Sequence, residues 1–161
     1  MKMEIKLKVK ISAGDIYDYM LYHQYTSAAG LIGSCVGALL IVAFFMDRQW
    51  MFLIAGAVIL GYLPWTLFIQ SRRQALTNPA FKQELSYTLN EEGLSVSQGE
   101  ETQSQKWEDM HKAVSTGRSI IIYTSRMNAT IIPKRCMPDS KADVIRMIST
   151  HMPPRKVKIR Q

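Results

Sequence analysis

Two charge-free apolar runs, residues 28–46 and residues 51–69, each 19 residues long, constrain this chain more than any other feature. At a helical rise of 1.5 Å per residue each would be about 28 Å long, close to the roughly 30 Å of a bilayer's hydrocarbon core. Only Asp47, Arg48, Gln49 and Trp50 separate them, so they form a hairpin. Helices buried in a soluble bundle usually keep a polar stripe at helical spacing, whereas here the hydroxylic side chains are Ser34, Thr66 and Tyr62 alone. A cleaved leader does not fit either, because the first run starts late, is long, and follows Glu4, Asp15 and Asp18.

Orientation is read from the flanks. Lys2, Lys6, Lys8 and Lys10 precede the first run and Arg72 and Arg73 follow the second, while the connecting loop offers Arg48 beside Asp47. The positive-inside bias then places both termini in the cytoplasm, with the chain multi-pass in the inner membrane. Trp50, Trp65 and Tyr25 stand where aromatic rings meet the interface. Ala29, Gly33 and Gly37 recur every four residues, as do Ala57 and Gly61, and such small-residue faces let helices approach. Packing of the two spans on each other and homodimerisation both remain open. Pro64 is positioned to bend the second span.

Outside the hairpin the pattern changes. Met3, Ile5, Leu7, Val9 and Ile11 alternate with Glu4, Lys6, Lys8 and Lys10, the signature of a strand with one buried face. No partner strand precedes the spans, so this strand is expected to join a sheet formed after them. Ser12 and Asp15 make a helix start at Ala13, with Ile16, Tyr19, Met20 and His23 on one face. That face suits either the membrane surface or the domain.

Beyond Arg73, Asn78-Pro79 stops the second helix. Residues 85–89 and 94–97 form a hairpin around Glu91-Glu92-Gly93, and residues 102–107 a polar third strand anchored by Trp107. Strands at 113–116, 119–125 and 129–132 follow, Pro133 ends the sheet, and a helix after residues 138–140 runs to Pro153-Pro154. The predicted fold is an α+β membrane protein: residues 1–24 a strand and amphipathic helix, 25–70 the hairpin, 71–152 a small antiparallel sheet or barrel closed by a C-terminal helix, and 153–161 a basic tail.

Of the formal net charge of +7, the last nine residues supply +4. Local basicity of this kind suits an anionic inner leaflet better than nucleic acid. The expected contacts with lipid or partner are Arg72, Arg73, Lys134, Arg135, Arg155, Lys156, Lys158 and Arg160, although the pair Lys134-Arg135 is read first as solvated and only second as touching lipid phosphate. Cys35 and Cys136 are too far apart in location to pair, and His23, His111 and His151 are scattered, so no metal or cofactor is expected. Glu108, Asp109 and His111 lie near Trp107 but supply no nucleophile with an oriented base, so catalysis is not expected.

Tyr87, Gly93, Leu94, Trp107, Tyr123 and the run Ile131-Ile132-Pro133-Lys134-Arg135 resemble the YcxB-like family of bacterial membrane proteins, with similar arrangement from about Met3 to Met152. The resemblance implies a pleckstrin-homology-like (PH-like) soluble part and carries over no catalytic residue. The functional expectation is a non-catalytic module tethered to the membrane and presenting its small domain to a protein partner or anionic lipid. The alternatives are a subunit of a transport or channel complex, which the lack of ionisable residues within the spans disfavours, and an immunity-type protein against a membrane-acting toxin.

Overall fold

The structure is a computed structural model and describes residues 3–159. The N-terminal alternation becomes β1 (Ile5–Val9), whose odd residues are buried and even residues exposed. Helix α1 (Ala13–Tyr25) follows, then α2 (Ala28–Asp47) and α3 (Trp50–Thr77). After one 3-10 turn come β2 (Leu85–Leu89), β3 (Gly93–Gln98) and β4 (Glu101–Lys106). A second set, β5 (Lys112–Ser115), β6 (Ser119–Tyr123) and β7 (Ala129–Pro133), leads into α4 (Lys141–His151) and a two-residue β8 (Val157–Lys158).

The strands form two four-stranded sheets, ordered β1-β2-β3-β4 and β7-β6-β5-β8. In the first, β1 pairs antiparallel with β2, Ile5 opposite Leu89 and Val9 opposite Leu85, as the orphan N-terminal strand required. The whole helical hairpin is therefore an insertion in the β1–β2 connection. The β-domain is discontinuous in sequence, and removing the hairpin's N-terminal flank would remove one of its strands.

One apolar core lies between the sheets. Leu7, Val9, Tyr87, Leu89 and Leu94 enter it from the first sheet, Ile120, Ile122 and Ile132 from the second, and Val144, Met147 and Ile148 from α4. Trp107 does not end the third strand as its anchor but begins a 3-10 turn, where its Nε1 donates to the Asn90 carbonyl at 2.8 Å and its ring stacks on His151. The strand β6 is buried at every position because both faces are covered: Ile120 and Ile122 face the core, while Ile121 and Tyr123 lie under α1 with Tyr19 and Tyr22. Coverage on both sides is why its sequence is a continuous apolar run.

The face of α1 that the sequence left between membrane and domain is thus used on the domain and on α3. Ile16 is buried in the core, and the Tyr17 ring meets Phe68 of α3 edge-on at 5.8 Å. The helix ends at Thr26 and Ser27, and the Ser27 hydroxyl accepts from the Gly30 amide to start α2 afresh.

Both α2 and α3 are long and apolar enough to cross a membrane, and only 11% and 6% of their most apolar windows are buried, which separates them from core helices of a soluble bundle. They meet through Gly37 and Gly56, since a Cβ on Gly56 would lie 2.8 Å from the Gly37 carbonyl oxygen and a Cβ on Gly37 would lie 2.7 Å from the Leu60 side chain. Of the small residues expected to pack the spans, Gly37 alone holds that place. Gly33 and Gly61 have open space around a built Cβ, and Ala29 and Ala57 are exposed. The contact face on α3 is displaced by one residue, from Ala57 to Gly56.

Two further expectations are corrected. The sheets do not close into a barrel, because among the described residues β4 has no second neighbour and its core-facing residues are polar. Residues 153–159 are not a free tail: after a 3-10 turn, Val157 and Lys158 add to the outer edge of β5 in parallel, opposite Ala113 and Val114.

Candidate functional site

The unclosed side of the domain is concave. Register places Gln103 and Gln105 of β4 opposite Val96 and Leu94 of β3, on the face that supplies the core in the preceding strands. Leucine or valine there would have sealed the sheets together; carboxamides cannot be buried without partners, so the sheets stay apart. The result is a cleft of about 830 Å³ between β4 and the 124–130 segment, continuous in its lining residues with a second hollow of about 240 Å³ toward Phe81 and Ile131.

Its floor is apolar, with Leu94 and Val96, and its walls are hydroxyl and amide groups from Gln103, Gln105, Thr124, Asn128 and Thr130. Consecutive residues of β4, from Gln103 to Lys106, and of β7's approach, from Asn128 to Thr130, line it. Lining by successive residues means that strand edges as well as side chains face the space, since side chains alone would contribute every second position. Each wall is the unpaired edge of its sheet. Among the described residues the hydrogen bond across the gap is long, from Gln105 Nε2 to the Thr124 carbonyl at 3.5 Å. In the adjoining hollow, burial pushes the Tyr87 hydroxyl well above its ordinary range, so it stays a neutral donor.

A second constellation fixes α1, which leads into the hairpin, to the domain. The Asp15 carboxylate, fully buried at the start of α1, accepts both Arg135 guanidinium nitrogens at 2.5 and 2.6 Å, together with the Ser12 amide and hydroxyl. Burial alone would raise its pKa; the Arg135 and Ser12 hydrogen bonds and the Arg135 charge outweigh it and hold the carboxyl below its usual value. Arg135 also donates to the Lys10 carbonyl at 2.8 Å, and the Thr116 hydroxyl donates to Asp18. Further along, His23 and Tyr19 stack near Tyr123, over whose ring the Lys112 ammonium sits at 4.5 Å.

The eight cations expected to meet lipid or a partner are not gathered in one patch. Arg135 is engaged by Asp15, Lys134 donates to the Thr116 carbonyl at 2.5 Å, and Lys156 donates to the Met110 carbonyl at 3.0 Å. These three act within the fold, so the pair Lys134-Arg135 is neither simply solvated nor directed at phosphate. Arg72, Arg73, Arg155 and Lys158 are exposed, Arg72 lying over the Phe68 ring, and Arg160 falls outside the described residues, as does Lys2 of the N-terminal flank. Glu108, Asp109 and His111 are all exposed around the turn after β4. Among the described residues no three His, Cys, Asp or Glu side chains converge to hold a metal ion.

The cleft itself was missed in the sequence. Its signal was present in β4, where both alternating faces, Glu101-Gln103-Gln105 and Thr102-Ser104-Lys106, are polar.

No match is found among curated proteins or among solved structures. The family model described as YcxB-like protein matches residues 89–149, a segment that holds the cleft's walls and floor from Leu94 to Thr130 together with α4. Residues 89–149, which build the open side of the β-domain, are therefore YcxB-like in sequence.

Proposed function

We propose that this chain is a non-catalytic interaction module, anchored in a membrane by the α2–α3 hairpin, that presents its β-domain to a protein partner through the open cleft. The observation that carries the reading is the cleft: an apolar floor, walls of amide and hydroxyl groups, and two unpaired strand edges, in a volume typical of ligand sites. The groups around it are suited to recognition by hydrogen bonding and offer no nucleophile held by a base.

Membrane insertion is supported by the bare apolar outer faces of α2 and α3, exemplified by Leu39 and Phe45, each about two-thirds exposed. Reading both termini as cytoplasmic is supported by α1 and α3, which both connect the hairpin to the one β-domain, and by the positive-inside bias of the flanks. The YcxB-like likeness of residues 89–149 supports reading that membrane as a bacterial inner membrane. A four-stranded and a three-stranded antiparallel meander with a C-terminal helix against their core supports the PH-like reading of the domain. A protein partner is favoured over anionic lipid because three of the eight candidate cations are occupied within the fold.

The test is proximity labelling in cells with the full-length protein and with Val96→Trp, which fills the cleft floor. Neighbours lost in the variant, at equal membrane abundance after carbonate extraction, support the module; an unchanged set of neighbours contradicts it. Extraction of the wild-type chain by carbonate would contradict the anchoring.

A further inference from the structure

The proposed module leaves the kind of occupant open, and the residues around the cleft narrow it. We infer that the cleft takes an extended, basic polypeptide segment of a partner protein, added as a strand along the free edge of β4; this rests on the cleft being the module's recognition site.

Backbone chemistry is the first argument. The β4 edge presents a row of main-chain N–H and C=O groups with no strand beside it, and β7 presents another across the gap. Nothing recognises such a row better than another extended backbone, which repeats the same donors and acceptors at the same spacing. Side chains of an entering strand alternate, so every second one would point at Leu94 and Val96 and the others outward. The inward carboxamides are free to meet it: among the described residues the Gln103 side chain makes no hydrogen bond, and that of Gln105 makes only the 3.5 Å contact to the Thr124 carbonyl.

Charge is the second, independent argument. Residues 84–109, which hold β2, β3 and β4, carry seven carboxylates and one cation, Lys106, for a net −6 in a chain whose total is +7. All seven are exposed, and none belongs to an ion pair among the described residues. They stand at both ends of β4: Glu84, Glu100 and Glu101 at the β3–β4 turn, Glu91, Glu92, Glu108 and Asp109 at the other. A negative limb on a positive chain repels anionic lipid and nucleic acid and draws cationic segments, the more so because like charges left unpaired at the rim gain from a counter-charge. A basic strand places cations toward these rims while its apolar residues cover the floor.

The experiment uses the full-length protein in nanodiscs of zwitterionic phosphatidylcholine, so that basic peptides do not adsorb to the bilayer. The probes are three fluorescent ten-residue peptides: one alternating lysine and valine, one alternating glutamate and valine, and the lysine peptide N-methylated at every valine amide, which removes one hydrogen-bonding edge. Anisotropy is expected to show the lysine peptide binding at least tenfold more tightly than either of the others. Val96→Trp is expected to weaken it tenfold or more, the milder Gln103→Lys and Glu101→Lys severalfold, and Lys8→Glu on the far face of the sheet not at all. Equal binding of the glutamate peptide, or binding undiminished by N-methylation or by all three of Val96→Trp, Gln103→Lys and Glu101→Lys, would overturn the inference. If the lysine peptide fails while Val96→Trp still strips neighbours in cells, the strand inference falls and the module stands; if neither depends on the cleft, both fall.

Discussion

Replacing Arg135 by methionine leaves the Asp15 carboxylate buried, with the Ser12 amide and hydroxyl as its remaining partners. Two charge-assisted hydrogen bonds to Asp15 of roughly 1.5–3 kcal/mol each disappear, with a third to the exposed Lys10 carbonyl, and the range for removing one partner of a buried pair is about 3–5 kcal/mol. Arg135 is itself 47% exposed, which screens the pair and puts the expected cost near 3 kcal/mol, the lower end of that range. Asp15→Asn removes the charge from the buried side and frees Arg135 into water, so about 1–2 kcal/mol is expected. The double variant should cost less than the two singles together, because it leaves no stranded charge. Hydrogen exchange of the β6 peptide and thermal unfolding of the full-length chain in detergent measure this; 3 kcal/mol corresponds to about 6–12 °C at this size.

The pH dependence follows in sign. The folded pKa of Asp15 is lowered, so the pair's stabilisation is complete above the unfolded value of about 3.9 and is lost as pH falls through the folded value. The gap between wild type and Arg135→Met should therefore be full at pH 7 and close in acid. A cost for Asp15→Asn exceeding that for Arg135→Met, or a gap that persists at low pH, would refute the assignment of Asp15 as the paired carboxylate.

Other expectations are smaller in scope. Gly56→Val should loosen the hairpin, since its new Cβ meets the Gly37 carbonyl, whereas Gly33→Val and Gly61→Val, with open space, should leave protease resistance of the hairpin unchanged. Tyr123→Phe should be neutral or stabilising by up to about 1 kcal/mol in thermal unfolding, because the buried Tyr123 hydroxyl has no hydrogen-bond partner among the described residues and its desolvation is uncompensated. Arg48→Gly should raise the melting temperature slightly, by relieving a side chain held at φ 55° in the turn between α2 and α3. Trp107→Ala should cost about 3–5 kcal/mol, read by near-ultraviolet circular dichroism, as the indole fills the core and holds Asn90.

Periodicity made most of the fold legible. The alternation from Ile5 to Val9 announced a strand in search of a sheet, and β2 answers it. Two 19-residue apolar runs could be little other than long helices. What stayed hidden depends on contacts between residues distant in the chain. Nothing near Arg135 names Asp15 as its partner, so its charge read as a surface feature. The two residues of β8 are too few to show a period, and their basic neighbours suggested a tail directed at an anionic membrane surface. The spacing of Gly33, Gly37 and Gly61 fits one helical face, but the rotation of each helix is set by what it packs on, and α1 packs on α3 as well. The cleft was written in Gln103 and Gln105, whose polarity on a core-facing register only gains meaning once β3 supplies the register.

The central claim, that the open cleft is where this chain meets a partner, is tested most directly by site-specific photocrosslinking in intact cells, with a benzophenone amino acid at Gln103, at Thr130 or at Lys8. A discrete protein adduct at the two cleft positions, abolished by Val96→Trp and absent at Lys8 on the opposite face, is the predicted result. Adducts of equal yield at all three positions, or at none while the chain resides in the membrane, would contradict the account.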